Sequence, residues 1–143
     1  MAEVVVRTLA EKEGLAESLT VESAGTGNWH VGQGADHRAV RVLRSRGYDA
    51  STHRARQFDA GDVASIDLLV ALDGGHLRAL HALAPAPEDR AKIRLLRSFD
   101  PDADSPDVVD PYYGDDAGFA EVLNQVEAAA PWLLAHVRRE LGR

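Results

Sequence analysis

Asp67-Leu68-Leu69-Val70-Ala71-Leu72-Asp73-Gly74-Gly75 is the stretch that decides the architecture. An unbroken apolar run between two aspartates suits a strand covered on both faces, which is the habit of parallel sheets. A half-buried antiparallel strand would alternate instead. Gly74 and Gly75 end the run, and residues 76–83 read as a short helix. Asp73 stands at the carboxyl end of the strand, where open α/β sheets receive ligands. It could be a phospho-acceptor, a metal ligand or a cap for the following helix, with the cap as the default.

Outward from this strand, helical and strand patterns alternate. Residues 93–96 form a second strand core, and residues 19–23 (Leu-Thr-Val-Glu-Ser) are also strand-like. Residues 2–13 read as a helix: Val5 and Leu9 are four apart, as are Ala2 and Val6, with Glu3, Arg7, Glu11 and Lys12 outside. Residues 36–46 make another, with Val40 and Leu43 inward, Arg38, Arg41 and Arg44 outward, and Gly47 as its stop. Asp59 can cap a short helix reaching Ala64, whereas Pro85, Pro87 and Glu88 read as a loop. From Asp115 or Asp116 to about Leu141 runs a long helix. Its buried stripe is Phe119, Val122, Leu123, Val126, Ala130, Leu133, Leu134 and Val137. Pro131 lies inside it and should kink or divide it, because proline lacks the N–H and crowds the preceding turn. The order predicts one α/β domain over residues 1–143: a small parallel sheet in a three-layer α/β/α arrangement.

Composition removes several function classes. The net charge is −7, which disfavours nucleic acid as a partner, since phosphate backbones need clustered cations. The best basic run, Arg38, Arg41, Arg44, Arg46, Arg54 and Arg56, is discontinuous and reads as a solvated helix face. No apolar run approaches a membrane span, and no signal-like start precedes the first helix. There is no cysteine, so disulfides, thiolate metal sites and thiol catalysis by this chain are excluded. A cytoplasmic location fits, although a cysteine-free chain suits export equally well.

Four segments invite a chemical reading. Ala24-Gly25-Thr26-Gly27-Asn28-Trp29-His30-Val31-Gly32 follows a strand-like run, but His30 occupies the last glycine position of a dinucleotide loop. A nucleotide loop begun at Gly27 offers Gln33 and Gly34 where Lys and Ser or Thr are required. Trp29 reads either as a wall for a flat ligand or as packing at the core edge. Asp100, Asp102, Asp104 and Asp107 resemble the start of a calcium loop, without its central Gly or its closing Glu. His53 has no second ligand at metal spacing, and neither a metal nor a cofactor is expected. The fourth segment is Asp110-Pro111-Tyr112-Tyr113-Gly114, an acid beside two phenols on a Pro/Gly turn. Pro111 biases Asp110 toward extended backbone, so its carboxyl can project. Such an acid can protonate a leaving group while the rings grip a flat substrate; taken alone, a plain acidic loop is as good a reading.

Together these pieces resemble the low-molecular-weight protein tyrosine phosphatases. The match is carried by Met1-Ala2-Glu3; by Glu22-Ser23-Ala24-Gly25-Thr26 with Trp29; by His53-Arg54-Ala55-Arg56; by Ala91-Lys92-Ile93-Arg94-Leu95-Leu96 leading to Phe99-Asp100-Pro101; and by Asp110-Pro111-Tyr112-Tyr113-Gly114. The resemblance implies that Asp110 is the acid that protonates the departing tyrosyl oxygen and later activates water. It implies that Trp29, Tyr112 and Tyr113 flank a phosphotyrosine ring, and that Ser23 and His53 hydrogen-bond an Asn that shapes the phosphate loop. Substrates would be phosphotyrosine proteins. Asp73 matches a family Asp, while His76 departs from the usual Asn and inherits no role.

The resemblance also implies an absence. Family members open with a strand and a Cys-x5-Arg-Ser phosphate loop, and a helix like the one starting at Met1-Ala2-Glu3 follows. The nucleophilic Cys, the phosphate-gripping Arg and that first strand are not found in this chain, so it is expected to be truncated and inactive as it stands. The lost strand would lie inside the sheet, between residues 19–23 and 67–73. About five buried apolar side chains there come to about 10 kcal/mol, against the ~5–15 kcal/mol of spare stability a domain has. The chain should unfold, close its sheet, or keep an open slot that recruits another copy, so a homo-oligomer through the exposed sheet is expected. Three alternatives stay open: an arsenate reductase of the same fold, a non-catalytic binding or regulatory module retaining the aromatic cleft, and a receiver-like domain using Asp73.

Overall fold

A computed structural model describes residues 1–15, 17–24, 37–49, 60–84, 86–108 and 116–142. The first helix, α1, spans Ala2–Lys12. Val4, Val5 and Val6 are all buried, so this turn is covered on more than one side, which offsets the low helix propensity of three β-branched residues. Gly14 ends it with φ +75. The Gly14 N–H reaches the Glu11 carbonyl at 3.2 Å and the Leu15 N–H the Ala10 carbonyl at 2.8 Å, the paired bonds of a left-handed helix stop. Helix α2, His37–Ser45, stops the same way. Gly47 has φ +87, and Gly47 and Tyr48 donate to the carbonyls of Arg44 and Leu43. Ala39, Val42 and Leu43 are its buried residues, while Val40 is half-buried. Arg38 lies over the Phe119 ring, 4.7 Å from its centroid, so part of the basic face is packed.

The sheet is smaller than the apolar runs suggest. Strand β1, Leu69–Ala71, pairs in parallel with β2, Ile93–Leu95, in the register Leu69 to Ile93 and Ala71 to Leu95. Between them come α3, Gly74–Leu83, and the single turn α4, Pro87–Arg90. The segment expected as a Pro-rich loop is thus partly helical. Pro87 sits at the start of the turn, where the missing N–H costs nothing. Residues 19–23 form no strand: among the described residues β1 pairs with β2 alone. A lone extended segment without a ladder partner is not a strand, however apolar its alternate positions; Leu19 and Val21 still pack against the core.

Alternation along β1 divides the interior in two. Leu69 and Ala71 face a cluster with Val63, Leu80, Ala84 and Ile93. Val70 turns to the larger cluster built by α1, α2 and the last helix. That helix, α5, runs Asp116–Glu140 without a break, although Pro131 lies inside it. Pro131 is exposed, so the Glu127 carbonyl that loses its usual donor lies on the solvent flank and the helix continues. Phe119, Val122, Leu123, Val126, Ala130, Leu133 and Leu134 are buried as the periodicity predicts; Ala129 joins them and Val137 is half-buried. A 3₁₀ turn, Ala60–Ser65, precedes β1, and another, Leu96–Phe99, follows β2 and packs on α5. Helices therefore cover both faces of a short parallel sheet, the three-layer α/β/α arrangement. No helix among the described residues is long and apolar enough to cross a membrane.

Candidate active site

Three chain segments meet where β1 ends. Beyond Leu72, Asp73 stays extended at φ −149, ψ 174, and its Oδ1 accepts the His76 N–H at 2.8 Å. The cap reading of Asp73 is the one observed, and the helix it starts includes both Gly74 and Gly75. A second carboxylate joins from the loop after β2: Asp107 Oδ1 accepts the Gly74 N–H at 2.8 Å. Two acidic groups at the first turn of α3 answer its free N–H groups and the positive end of its dipole. The next residue continues the return, for the Val108 N–H donates to the Leu72 carbonyl at 2.8 Å. Val108 is buried in the larger core cluster.

Arg97 holds this return from beneath. Its side chain is buried, with only 7 % of the residue surface exposed. Nη1 donates to the Asp107 carbonyl at 3.0 Å and Nη2 to Asp104 Oδ1 at 2.9 Å, while Nε has no partner. The acidic loop that resembled a calcium site is thus shared among other partners. Asp100 takes the Asp102 N–H, Asp104 takes Arg97, and Asp107 takes Gly74. Among the described residues no three His, Asp or Glu side chains converge as a metal site would need. Sequence reasoning passed over Arg97. The available signal was a cation directly following Leu95-Leu96, five residues after Lys92 and ahead of four closely spaced aspartates.

Ser23 lies beside the start of α1. Its Oγ–H donates to Glu3 Oε1 at 2.9 Å. Glu3 Oε2 pairs with Arg7 Nη2 at 3.2 Å, and the same Arg7 nitrogen donates to the Val21 carbonyl at 2.7 Å. One acid on the first turn of α1 therefore fastens residues 21–23 to that helix. Burial of the Met1 amino group pulls its pKa below the ordinary value, with the nearby Glu3 carboxylate working in the opposite direction. Asp110, Trp29, Tyr112, Tyr113 and His53 lie outside the described residues. A cleft of about 160 Å³ between α1 and α5, lined by Thr8, Lys12, Tyr48 and Glu127, shares no residue with the end of β1.

A sequence model of the low molecular weight phosphotyrosine protein phosphatases matches residues 1–143. The chain belongs to that family. A low molecular weight protein-tyrosine-phosphatase of Streptomyces coelicolor is 52 % identical over 143 residues, covering 99 % of this chain and 87 % of the relative. Low molecular weight protein-tyrosine phosphatase A of Mycobacterium tuberculosis is 46 % identical over 145 residues, covering 100 % of this chain and 86 % of its own length. Among solved structures, a protein tyrosine phosphatase from Entamoeba histolytica superposes with a TM-score of 0.90 at 30 % identity, covering 99 % of this chain and 88 % of that one. The carboxyl end of β1 is where open α/β sheets take ligands. There Asp107 and Val108 are tied to β1 and α3, and Asp110 follows Val108 by two positions in the sequence.

Proposed function

We propose that this chain carries the acid–base and ring-binding half of a phosphotyrosine hydrolase, and that alone it does not turn over. In this reading Asp110 protonates the departing tyrosyl oxygen and afterwards takes a proton from the attacking water. Trp29, Tyr112 and Tyr113 flank the substrate ring, and Ser23 and His53 brace the phosphate loop. The substrates are phosphotyrosine proteins, the protein acts in the cytoplasm, and no cofactor takes part. What carries the reading is the anchoring of Asp107 and Val108 at the carboxyl end of β1, immediately ahead of the Asp110 segment and at the place where such sheets take ligands.

The inactivity follows from composition, since the 143 residues include no cysteine. Phosphate monoesters are among the slowest uncatalysed hydrolyses. A low-pKa thiolate forms the phosphorus bond, and N–H groups with an arginine stabilise the oxygens. A general acid supplies only about 10²–10⁴-fold. Losing the nucleophile from groups that act as a unit costs on the order of a millionfold, a deficit the acid cannot cover. The test compares two proteins: the 143-residue chain, and the same chain preceded by a strand and a Cys-x5-Arg-Ser loop. The extended protein should hydrolyse p-nitrophenyl phosphate, and Asp110→Asn within it should lower kcat by about 10²–10⁴-fold. An extended protein whose kcat ignores that substitution would remove Asp110 from the mechanism.

A further inference from the structure

Arg97 is the one buried charged side chain among the described residues. A guanidinium out of water is costly unless its donors are used, yet the partners here are unequal. The Asp104 side chain is 89 % exposed, so its pairing with Nη2 is screened by solvent and contributes little. Nε goes unmet. The remaining bond, from Nη1 to the Asp107 carbonyl, is charge-assisted and ends on backbone. Asp107 also accepts Gly74 N–H through its side chain, and Val108 donates to Leu72. Three tethers thus act on two consecutive residues, with the Pro101–Pro106 stretch before them lying mostly exposed.

We propose that Arg97 is a positioning residue for the proton donor: by holding the Asp107 carbonyl it fixes the backbone of Asp107 and Val108, two positions ahead of Asp110 in the sequence. The consequence for catalysis rests on the reading of Asp110 given above; the clamp itself does not. Arginine suits the task because a planar fork can reach the loop at two points, whereas an ammonium is a single point charge.

Amide hydrogen exchange on the 143-residue protein tests the clamp. In Arg97→Met the Val108 and Gly74 amides should exchange about tenfold faster or more, while Leu123 and Val126 in α5 keep their rates. Asp104→Asn, which removes only the charge of the screened partner, should change them less than about threefold. Arg97→Lys, which keeps the charge and one bond, should fall between, and it carries the test where Arg97→Met does not fold. The carboxyl ¹³C resonance of Asp110 should move in Arg97→Met and stay in Asp104→Asn. Unchanged rates at Val108 and Gly74, equal acceleration in α5, or an unmoved Asp110 resonance would each overturn the proposal. Because no turnover is measured, failure here is distinct from failure of the phosphatase reading, which the extended protein reports.

Discussion

Tyr48 makes the case at the scale of one residue. It stands just beyond the stop of α2, and its hydroxyl donates to Glu127 Oε2 at 2.7 Å, while Arg46 grips the other oxygen of that carboxylate. Burial first, then the hydrogen bond and charge of Glu127, push the Tyr48 pKa up to about 12, with Arg46 opposing. A pKa raised in the folded state means stability that is whole below pH 10 and is lost as the pH climbs from 10 toward 12. Ultraviolet titration should find one tyrosine ionising near 12, and Tyr48→Phe should flatten the loss of stability across that window. Asp73 is the local counterpart: Asp73→Ala should cost about 1 kcal/mol in urea unfolding, the usual loss for a helix cap. Asp73 was legible in the sequence because a cap and its N–H are three residues apart. The Tyr48–Glu127 pair was not, because its partners are separated by 79 residues and nothing local announces the contact.

At the scale of elements, residues 19–23 and the turn at Pro87–Arg90 were the least readable and α5 the most. Its apolar stripe recurs over many turns, and Leu123 and Leu134 lie at its centre with no exposed surface. Leu123→Ala should lower stability by about 3–4 kcal/mol, within the range for well-packed leucines. Thermal melting monitored by circular dichroism checks this. Pro131 shows the limit of a local rule, for a proline is tolerated when the carbonyl it deprives faces water. Removing it should help: Pro131→Ala is expected to raise stability by about 1–3 kcal/mol, because alanine restores the bond to the Glu127 carbonyl. Residues 19–23 failed for a different reason. Period-two patterning reports which side chains are buried, and Leu19 and Val21 are indeed partly buried, but a strand also needs a neighbour to bond. The turn at Pro87–Arg90 escaped notice because four residues hold too little periodicity to read.

At the scale of the molecule, the fold class was legible because apolar runs and helical stripes alternate along the chain. A site was suggested only through motif resemblance, and Asp110, Trp29, Tyr112, Tyr113 and His53 lie outside the described residues; the hold of Arg97 on Asp107 depends on a burial that no spacing discloses. Strand β1 is covered on both faces, yet among the described residues it has a strand partner on one side only. We therefore expect copies to associate through that side. Light scattering at micromolar concentration should give more than a monomer mass, and a compact monomer would count against this assembly. The most direct test of the central claim is nitrophenol release from p-nitrophenyl phosphate by the purified 143-residue protein. The rate should be indistinguishable from buffer, since the 143 residues include no thiol to attack phosphorus; turnover of about 1 per second, ordinary for an enzyme, would overturn that expectation.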